Sequence, residues 1–354
     1  MNGKSNVRVA GSIAAAVLLL LLAAFVLSGC GELDLLQVIR DRLAETDTDD
    51  GDDDTGNGDG PDVIYVTPDD PDHDINTAME EAAAAGATEV HVAAGTYIID
   101  ARDLAIIMAA GVSLLGGYNA DFTECNPETH VTTIRSESFE LALIEASGTD
   151  MENMRIEGFV LEIAASGTGS SEYSMIALSN GASVDIVNNI ISMEIGGSLS
   201  HSCSVIGIEG GGNILDMSIS GNNIFFSSTA DSSNGAAGVR LSGAEDRSSV
   251  EISDNYITVA SSDDATALLV EDSSGVSLTN CVMSVEAGAG ADALRATQGL
   301  SGLMVNNTII ATGASGANCI NLAGTGTSSL TVINNILGTD RKSTRLNSSH
   351  RYVS

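Results

Sequence analysis

From Met175 onward the chain repeats one order of parts. Each repeat has a short strand of alternating polar and apolar residues, a polar Gly/Ser turn, a second alternating strand, a corner that contains Asn, and a third apolar stretch. The repeats begin at Met175, Val205, Gly238, Ala267, Ala293 and Cys319. Alternation at period two places every second side chain on one face of a strand. A unit this short cannot bury its apolar face alone, so the repeat predicts stacked coils with three strands each.

Equivalent apolar positions recur once per repeat, although the turns between strands differ in length. The inward residues expected in the first strand are Ile176, Ile206, Val239, Leu268, Leu294 and Ile320. Those expected in the second strand are Ile186, Ile219, Ile252, Leu278, Val305 and Val332. With no Trp and 3% aromatic residues, the interior must be filled by aliphatic side chains. We therefore expect a thin core in which these side chains stack in columns.

The corner after the second strand contains Asn or Asp in every repeat. These residues are Asn188-Asn189, Asn222-Asn223, Asp254-Asn255, Asn280, Asn306-Asn307 and Asn334-Asn335. Asn tolerates the left-handed conformation that a sharp bend requires. Amides stacked at the strand spacing of about 4.8 Å can also hydrogen-bond along the axis. We predict a structural ladder of Asn189, Asn223, Asn255, Asn280, Asn307 and Asn335.

The corner residues, the coil length and the leading sequence resemble right-handed parallel β-helix proteins of the pectate-lyase-like superfamily. Residues 74–86 resemble the family's short capping helix, with Asp74 as N-cap and Gly86 as terminator. Residues 89–97 are similar to its first full strand and Gly-Thr-Tyr turn, and residues 111–122 resemble a segment of secreted β-helix proteins of unknown function. The resemblance implies an all-β, right-handed parallel β-helix of about eight coils, with three strands per coil and a short N-terminal capping helix. A separate signal in the C-terminal residues predicts that its C-terminus is truncated.

The N-terminal residues carry an export signal. Lys4 and Arg8 precede an uncharged apolar run over residues 10–27, which ends shortly before Cys30. This pattern resembles the lipobox of bacterial lipoproteins, in which a signal peptidase cuts before the Cys and its sulfur carries a diacylglyceryl group. A retained transmembrane helix is the alternative, although the run is barely long enough. We expect residues 1–29 to be removed and the lipid on Cys30 to hold the body at the cell surface or the periplasmic face of a bacterial membrane.

Residues 30–61 are expected to form an acidic tether. Its stretch from Asp47 to Gly60 has no apolar residue to bury, and like charges with glycines keep such a segment solvated. A Ca²⁺ loop is the alternative because Asp and Asn recur at alternate positions, but no Glu closes the loop as in an EF-hand. Loose association with Ca²⁺ stays open without a specific motif, and we identify no cofactor.

The C-terminal residues carry a different signal. Residues 340–350 resemble, codon for codon, a translation of the adapter used in short-read DNA sequencing, and a basic tail is the ordinary alternative. We expect residues 340–354 to be an artefact without function and the protein sequence to end near Thr339. The predicted organisation is a signal peptide at 1–29, a tether at 30–61, and a β-helix at 62–339.

The charge of the chain excludes one class of partner. The formal net charge is −34, and no Lys lies between Cys30 and Thr339. Phosphates would be repelled by such a surface, so nucleic acid is not expected as a partner.

Catalysis would need particular side chains on the outer wall. The lyases of this superfamily, as the resemblance implies, use carboxylates to hold calcium against an acidic sugar, with Arg or Lys as base. The residues expected outward on the second strand are Glu157, Asp185, Ser218, Glu251, Ser277 and Thr331. Only Glu157 has an Arg nearby, Arg155, while Arg240 and Arg295 are two coils apart on the first strand. The Asp263-Asp264 pair lies in a polar turn and not on adjacent strands, as a hydrolase would require. We assign no catalytic residue and no metal ligand.

The remaining His and Cys residues do not form a motif. The His residues that lack metal-ligand spacing are His73, His91, His130 and His201, and we expect surface or turn roles for them. The Cys residues that lie several coils apart are Cys125, Cys203, Cys281 and Cys319. Because distant coils cannot bring sulfurs together, free thiols or small buried side chains are expected.

Two classes of function fit these features. The preferred one is a membrane-anchored, surface-exposed scaffold, adhesin-like or polysaccharide-binding protein whose partner is a polysaccharide or extracellular matrix. The alternative is a polysaccharide lyase or glycoside hydrolase that acts on acidic polysaccharide. Clustered carboxylates with a nearby Arg would favour the enzyme, whereas a wall of Ser, Thr and small residues would favour the scaffold.

Overall fold

The computed structural model describes residues 62–70, 73–99, 105–136, 142–148, 151, 153–166, 173–196, 205–211, 216–229, 235–242, 249–271, 275–298, 300–323 and 328–341. These residues belong to the unit Asp59–Ser354. The predicted signal peptide, Cys30 and the predicted tether lie outside the described residues, so these assignments stay predictions. In the described part of the chain, the structure contains no helix of the length and apolarity needed to span a bilayer.

The described residues form three sheets of parallel strands. Sheet I contains β4 (Ile106–Ile107), β7 (Ala142–Ser147), β10 (Tyr173–Ser179), β13 (Val205–Gly211), β16 (Ala236–Ser242), β19 (Ala265–Glu271), β22 (Gly290–Ala296) and β25 (Gly316–Leu322). Sheet II contains β1 (Val63–Val66), β2 (Glu89–Ala93), β5 (Ser113–Tyr118), β8 (Met154–Glu157), β11 (Val184–Val187), β14 (Asp216–Ser220), β17 (Ser249–Ser253), β20 (Gly275–Thr279), β23 (Ser301–Val305) and β26 (Ser329–Ile333). Sheet III contains β3 (Gly95–Ile99), β6 (Thr132–Ser136), β9 (Phe159–Ser166), β12 (Ile190–Gly196), β15 (Asn223–Ser228), β18 (Tyr256–Ser261), β21 (Val282–Ala287), β24 (Thr308–Gly313) and β27 (Ile336–Arg341).

From β4 onward the chain visits sheets I, II and III in turn, so that three strands make one coil. The prediction of a right-handed parallel β-helix with three strands per coil and about 8 coils is confirmed. The last described strand, β27, continues to Arg341, past the end predicted at Thr339, and residues 342–354 lie outside the described residues.

One helix, α1 (Ile75–Ala85), packs against β1, β2 and β4. Asp74 is its N-cap, and the Asp74 Oδ1 accepts a hydrogen bond from the Thr77 N–H at 2.8 Å. Gly86 ends the helix in the left-handed conformation, with φ at 76°. The helix buries Ile75, Ala78, Met79 and Ala82, so it covers apolar side chains at the N-terminal end of the described coils.

The inward column of sheet II follows the predicted register through four coils. Ile186 pairs with Ile219, Ile219 with Ile252, and Ile252 with Leu278, and all four are buried. The next inward residue is Met304 and not the predicted Val305. In the apolar run of residues 303–305, alternation alone does not distinguish the two faces.

Sheet I requires a second correction of register. Ile176 pairs with Ile208, and Ile208 with Val239, whereas the predicted Ile206 pairs with Ser174 and therefore lies in the neighbouring row. Ile206 and Ile208 have the same side chain two positions apart, so a period-two pattern fits either of them. Only the pairing between coils separates these alternatives.

The bend between sheets II and III is made by two consecutive residues with different tasks. The first adopts the left-handed conformation, with φ between 53° and 80°; these residues are Gly158, Asn188, Gly221, Asp254, Asn280, Asn306 and Asn334. From the third described coil onward, the second residue turns its side chain into the bend. These second residues are Asn189, Asn222, Asn255, Cys281, Asn307 and Asn335.

The inward amides bond from coil to coil. The Asn222 Oδ1 accepts from the backbone N–H of Asn189 at 2.9 Å, and the Asn222 Nδ2 donates to the Ile186 carbonyl at 2.7 Å. The same Nδ2 lies 3.0 Å from the Asn255 Oδ1, to which it donates. Each amide therefore satisfies backbone groups that would otherwise be buried without a partner.

Two members of the predicted ladder need correction. Asn223 is the exposed first residue of β15, and its neighbour Asn222 supplies the buried amide, because Gly221 takes the left-handed position. Asn280 is itself the left-handed residue, and the buried position after it belongs to Cys281. The Cys281 thiol donates to the Ile252 carbonyl across 3.6 Å.

The ladder predicts that two adjacent residues contribute very differently to the free energy of unfolding. Asn222→Ala removes a buried amide and leaves backbone groups unpaired, so we expect the free energy of unfolding to fall by about 1–3 kcal/mol. Asn223→Ala, the matched control, should change it by less than about 0.5 kcal/mol. Urea denaturation followed by circular dichroism measures both. A larger loss at Asn223 than at Asn222 would contradict the register of the bend.

Candidate functional site

Two ring-bearing residues face outward from the first strands of sheet II. Tyr65 in β1 and His91 in β2 are paired residues of adjacent parallel strands. Residues paired in this way project to the same side of a sheet. Their ring centroids lie 5.8 Å apart in an edge-to-face arrangement. The Tyr65 ring is 50% exposed, so it presents an aromatic surface to solvent.

A bulge in β5 brings a third ring to this place. His91 pairs with Leu115, but Ala93 pairs with Tyr118, so β5 holds one extra residue at Gly116-Gly117. A β-bulge changes the direction in which the following side chain points. The Tyr118 ring consequently stacks on the His91 ring, with centroids 4.1 Å apart and an angle of 14° between the planes.

Glycine is required at the bulge for reasons of space and conformation. Gly117 has φ at +84°, and a Cβ on it would lie 2.6 Å from the Pro127 Cγ. A Cβ on Gly116 would lie 2.8 Å from the Phe159 Cε1. Any larger residue would displace its neighbours, so the bulge depends on both glycines.

A short hairpin adds the fourth ring. The Asn119 Oδ1 accepts from the Thr123 N–H at 2.9 Å, which holds the loop that carries Phe122. Phe122 has φ at 57°, a conformation that costs a bulky residue about 1–3 kcal/mol. Its ring centroid lies 4.7 Å from that of Tyr65 and 6.0 Å from that of Tyr118. We call Tyr65, His91, Tyr118 and Phe122 the aromatic cluster.

Polar groups adjoin the aromatic cluster. The His91 Nε2 lies 2.6 Å from the Glu89 Oε2 and 3.2 Å from the Tyr118 Oη, and the tautomer of the imidazole decides which group donates. Burial raises the pKa of the Tyr118 phenol, and the neighbouring Cys125 and Glu89 raise it further. Tyr118 therefore stays protonated and presents a neutral hydroxyl at ordinary pH.

The adjoining strand β8 supplies an acid and a base that bind each other. The Arg155 Nη1 donates to the Glu157 Oε2 at 2.9 Å, and the Asn188 Nδ2 donates to the Glu157 Oε1 at 3.2 Å. Glu157 pairs with Leu115 of β5, the residue that pairs with His91, and its charge contributes to raising the pKa of Tyr118. The Arg155 guanidinium is thus engaged by this carboxylate.

The outward acids of sheet II do not converge. The pairing aligns Asp185 with Arg155, whereas the predicted Glu157 aligns with Val187 in the next row. Glu251 pairs with Ser218, whose N–H donates to the Asp185 Oδ1 at 2.9 Å. Ser277 and Thr331 continue the row, with Leu303 between them. Among the described residues, no group of three His, Cys, Asp or Glu could hold a metal ion.

The basic residues of sheet I are paired with acids. The Arg240 Nε lies 2.8 Å from the Glu271 Oε2, and the Arg295 Nε lies 4.0 Å from the Asp292 Oδ2. Leu269 separates the two Arg in the outer row, as predicted. In the turn before β19, the Asp264 Oδ1 accepts from the Gly290 N–H at 2.7 Å, a structural role.

Sequence reasoning missed the aromatic cluster. His91 was expected in an ordinary surface or turn role, and Tyr65 carried no motif. The chain has six Tyr and six Phe, three of which meet His91 at this one place. The scarcity of aromatic residues in the rest of the chain was the available signal. The contact among these rings depends on a strand pairing and on a bulge, and neither can be read from the sequence. Cys125, Cys281 and Cys319 are free thiols, and Cys203 and His201 lie outside the described residues.

The fold and the cluster define a parallel β-helix protein with an aromatic surface on its outer wall. No protein-family model and no curated protein matches the chain. Among solved structures, it is similar to the A-module of the mannuronan C-5 epimerase AlgE4 of Azotobacter vinelandii, at 13% identity and a TM-score of 0.32, with 79% of this chain and 94% of that chain covered. It is also similar to ORF18 of Geobacillus virus E2, at 12% identity and a TM-score of 0.26, with 76% of this chain and 58% of that chain covered. Likeness at this level carries no inference about activity.

The buried phenols predict an unusual alkaline titration. Burial raises the pKa of both Tyr97 and Tyr118 above the ordinary value of 10.0. Because the folded state holds these protons more tightly, the stability they contribute is complete below about pH 10 and is lost as the pH rises through the folded pKa. Absorbance of phenolate should show a late-titrating step that Tyr118→Phe reduces and that Tyr97→Phe reduces separately. An unchanged late step in Tyr118→Phe would show that Tyr118 is not held in the cluster.

Proposed function

We propose that this protein is a membrane-anchored, surface-exposed scaffold that binds polysaccharide through the aromatic cluster. The observation that carries the proposal is the half-exposed Tyr65 residue, whose ring lies against the rings of His91 and Phe122 in a chain with 3% aromatic residues. The C–H groups of a sugar ring carry a small positive charge, which the negative face of an aromatic ring attracts. Such a ring is therefore a suitable surface for stacking a sugar.

The groups beside the rings suit the polar part of a sugar. The Glu89 carboxylate, the His91 imidazole and the neutral Tyr118 hydroxyl lie within hydrogen-bonding distance of one another. They can exchange these bonds for bonds to sugar hydroxyl groups, which combine donor and acceptor capacity. An aromatic surface with few convergent polar groups supports binding without requiring any chemical step.

The rest of the outer wall supports a scaffold. Beyond β11, the outward rows of sheet II are occupied mainly by small hydroxyl residues; these are Ser218, Ser220, Ser253, Ser277 and Thr279. The residues predicted to anchor the protein are Cys30 and the tether of residues 30–61. A lipid and a tether would hold the rigid body near the membrane surface, where it meets extracellular polymers.

A polysaccharide lyase or glycoside hydrolase is the second candidate. It is favoured by one observation, the contact of His91 with both Glu89 and Tyr118, because adjoining titratable groups are the usual means of proton transfer. Arg155, the nearby base, is bound to Glu157. Incubation with acidic and neutral polysaccharides, with and without Ca²⁺, followed by measurement of new reducing ends, separates the candidates. The scaffold predicts no cleavage.

The binding proposal predicts a specific loss at Tyr65. Tyr65→Ala removes the exposed ring, and we expect the affinity for a bound polysaccharide to fall at least about tenfold, or about 1.4 kcal/mol. Tyr256→Ala is the matched control, because Tyr256 lies on sheet III, with its ring 5.7 Å from that of Phe225. A glycan array and isothermal titration calorimetry provide the measurements. Equal affinities of Tyr65→Ala and the unaltered protein would rule out the aromatic cluster as the binding surface.

The anchoring proposal predicts that Cys30 holds the protein on the membrane. In a bacterial host, Cys30→Ser should move the protein from the membrane fraction to the soluble exported fraction, and mass spectrometry should find a diacylglyceryl group only on the unaltered protein. Cys125→Ser, which removes a free thiol of the β-helix, should leave the distribution unchanged. Membrane retention of Cys30→Ser with an uncut N-terminus would instead support the retained helix.

A further inference from the structure

The aromatic cluster is surrounded by acidic groups. The Glu89 Oε2 lies 2.6 Å from the His91 Nε2, and Glu157 pairs with Leu115, the residue of β5 that pairs with His91. In the hairpin, Asp121 and Glu124 lie on either side of Phe122 in the chain, and both are exposed. The carboxylates thus come from two strands and from the loop that carries Phe122, where the Glu124 Oε2 lies 3.4 Å from the His130 Nε2.

The basic groups beside the cluster do not balance these acids. The Arg155 guanidinium is engaged by Glu157 at 2.9 Å, and the chain as a whole carries a formal charge of −34. A negative surface lowers the local concentration of anions and raises that of cations. An acidic polysaccharide is therefore disfavoured at this site, a neutral one is not attracted, and a cationic one is drawn toward it.

A bridging metal ion does not remove this preference. Acidic polymers can bind to acidic proteins when a shared divalent cation joins the two carboxylate sets. That requires at least a small group of ligands, and among the residues described in this structure no such group of three is found.

We infer that the aromatic cluster binds a polysaccharide of amino sugars with free ammonium groups, with the sugar ring on Tyr65 and the ammonium group at Glu89. This inference rests on the proposed function and names its ligand. A cation near an aromatic face gains electrostatic energy from the ring, and a carboxylate beside the ring adds a charge-assisted hydrogen bond. A Lys-rich peptide shares the charge but lacks a flat ring to stack on Tyr65.

The test compares oligomers that carry positive, zero or negative charge, together with a cationic peptide. The full-length protein is titrated calorimetrically with oligomers of glucosamine, with N-acetylglucosamine oligomers of the same length, with oligogalacturonate and with oligolysine. We expect the glucosamine oligomers to bind at least about tenfold more tightly than the acetylated ones, and this preference to weaken with added salt, because the attraction is screened. Oligogalacturonate and oligolysine should bind more weakly than glucosamine oligomers of equal length.

Single substitutions test which carboxylate binds the ammonium group. Glu89→Gln should reduce the affinity for glucosamine oligomers about tenfold more than the affinity for acetylated oligomers, whereas Tyr65→Ala should weaken both to a similar extent. Glu251→Gln is the matched control, since Glu251 lies on the outer face of the same sheet, several coils away. Glu157→Gln provides a second acidic position if Glu89→Gln loses its circular dichroism spectrum.

The results distinguish failure of the amino-sugar inference from failure of the proposed polysaccharide binding. Equal binding of acetylated and free-amine oligomers overturns this inference and leaves polysaccharide binding intact. Oligolysine that binds as tightly as glucosamine oligomers, or an equal loss in Glu251→Gln, overturns it in favour of general charge attraction. Failure of every polysaccharide to bind overturns the proposed function together with the inference.

Discussion

The structure depends on the vertical pairing of each coil with the next. Each strand between the ends of its sheet hydrogen-bonds to the strands one coil above and below, so a residue's neighbours are set by register and not by distance along the chain. The bend between sheets II and III is the most demanding point, because the backbone turns sharply while its polar groups are buried. A left-handed residue such as Asn188 makes the turn, and the amide of the next residue, Asn189, satisfies the backbone. Without these amides, each coil would leave buried groups unpaired.

The same regularity explains why the aromatic cluster needs an irregularity. Leu115 continues the outward row of Tyr65 and His91, and in an unbroken register Gly117 would then pair with Ala93. The extra residue at Gly116-Gly117 instead brings the Tyr118 ring onto His91, and the strained Phe122 completes the set. Bulges and left-handed bulky residues cost stability, and they persist where the surrounding structure holds them. Their coincidence at one exposed place, close to α1, distinguishes this part of the wall from the uniform coils that follow.

The outer wall carries more acidic than basic side chains. The described Arg residues that face outward lie beside carboxylates, such as Arg155 with Glu157 and Arg240 with Glu271. The described residues contain no group of three His, Cys, Asp or Glu that could hold a metal ion. At the bulge in β5, the Glu89 carboxylate lies against the His91 ring, on which the Tyr118 ring stacks. The aromatic cluster is thus the place on the outer wall where exposed rings and negative charge lie side by side.

The sequence by itself determined the repeat, the aliphatic columns, the capping helix that begins after Asp74 and the presence of Asn at the bends, because these features follow from short-range periodicity and conformational preference. It could not choose between Asn222 and Asn223, between Ile206 and Ile208, or between Met304 and Val305, since both members of each pair fit the local pattern. The tertiary structure decided these positions through pairing between coils. It alone brought Tyr65, His91, Tyr118 and Phe122 together, because contacts among residues distant in the chain depend on register and on one inserted residue.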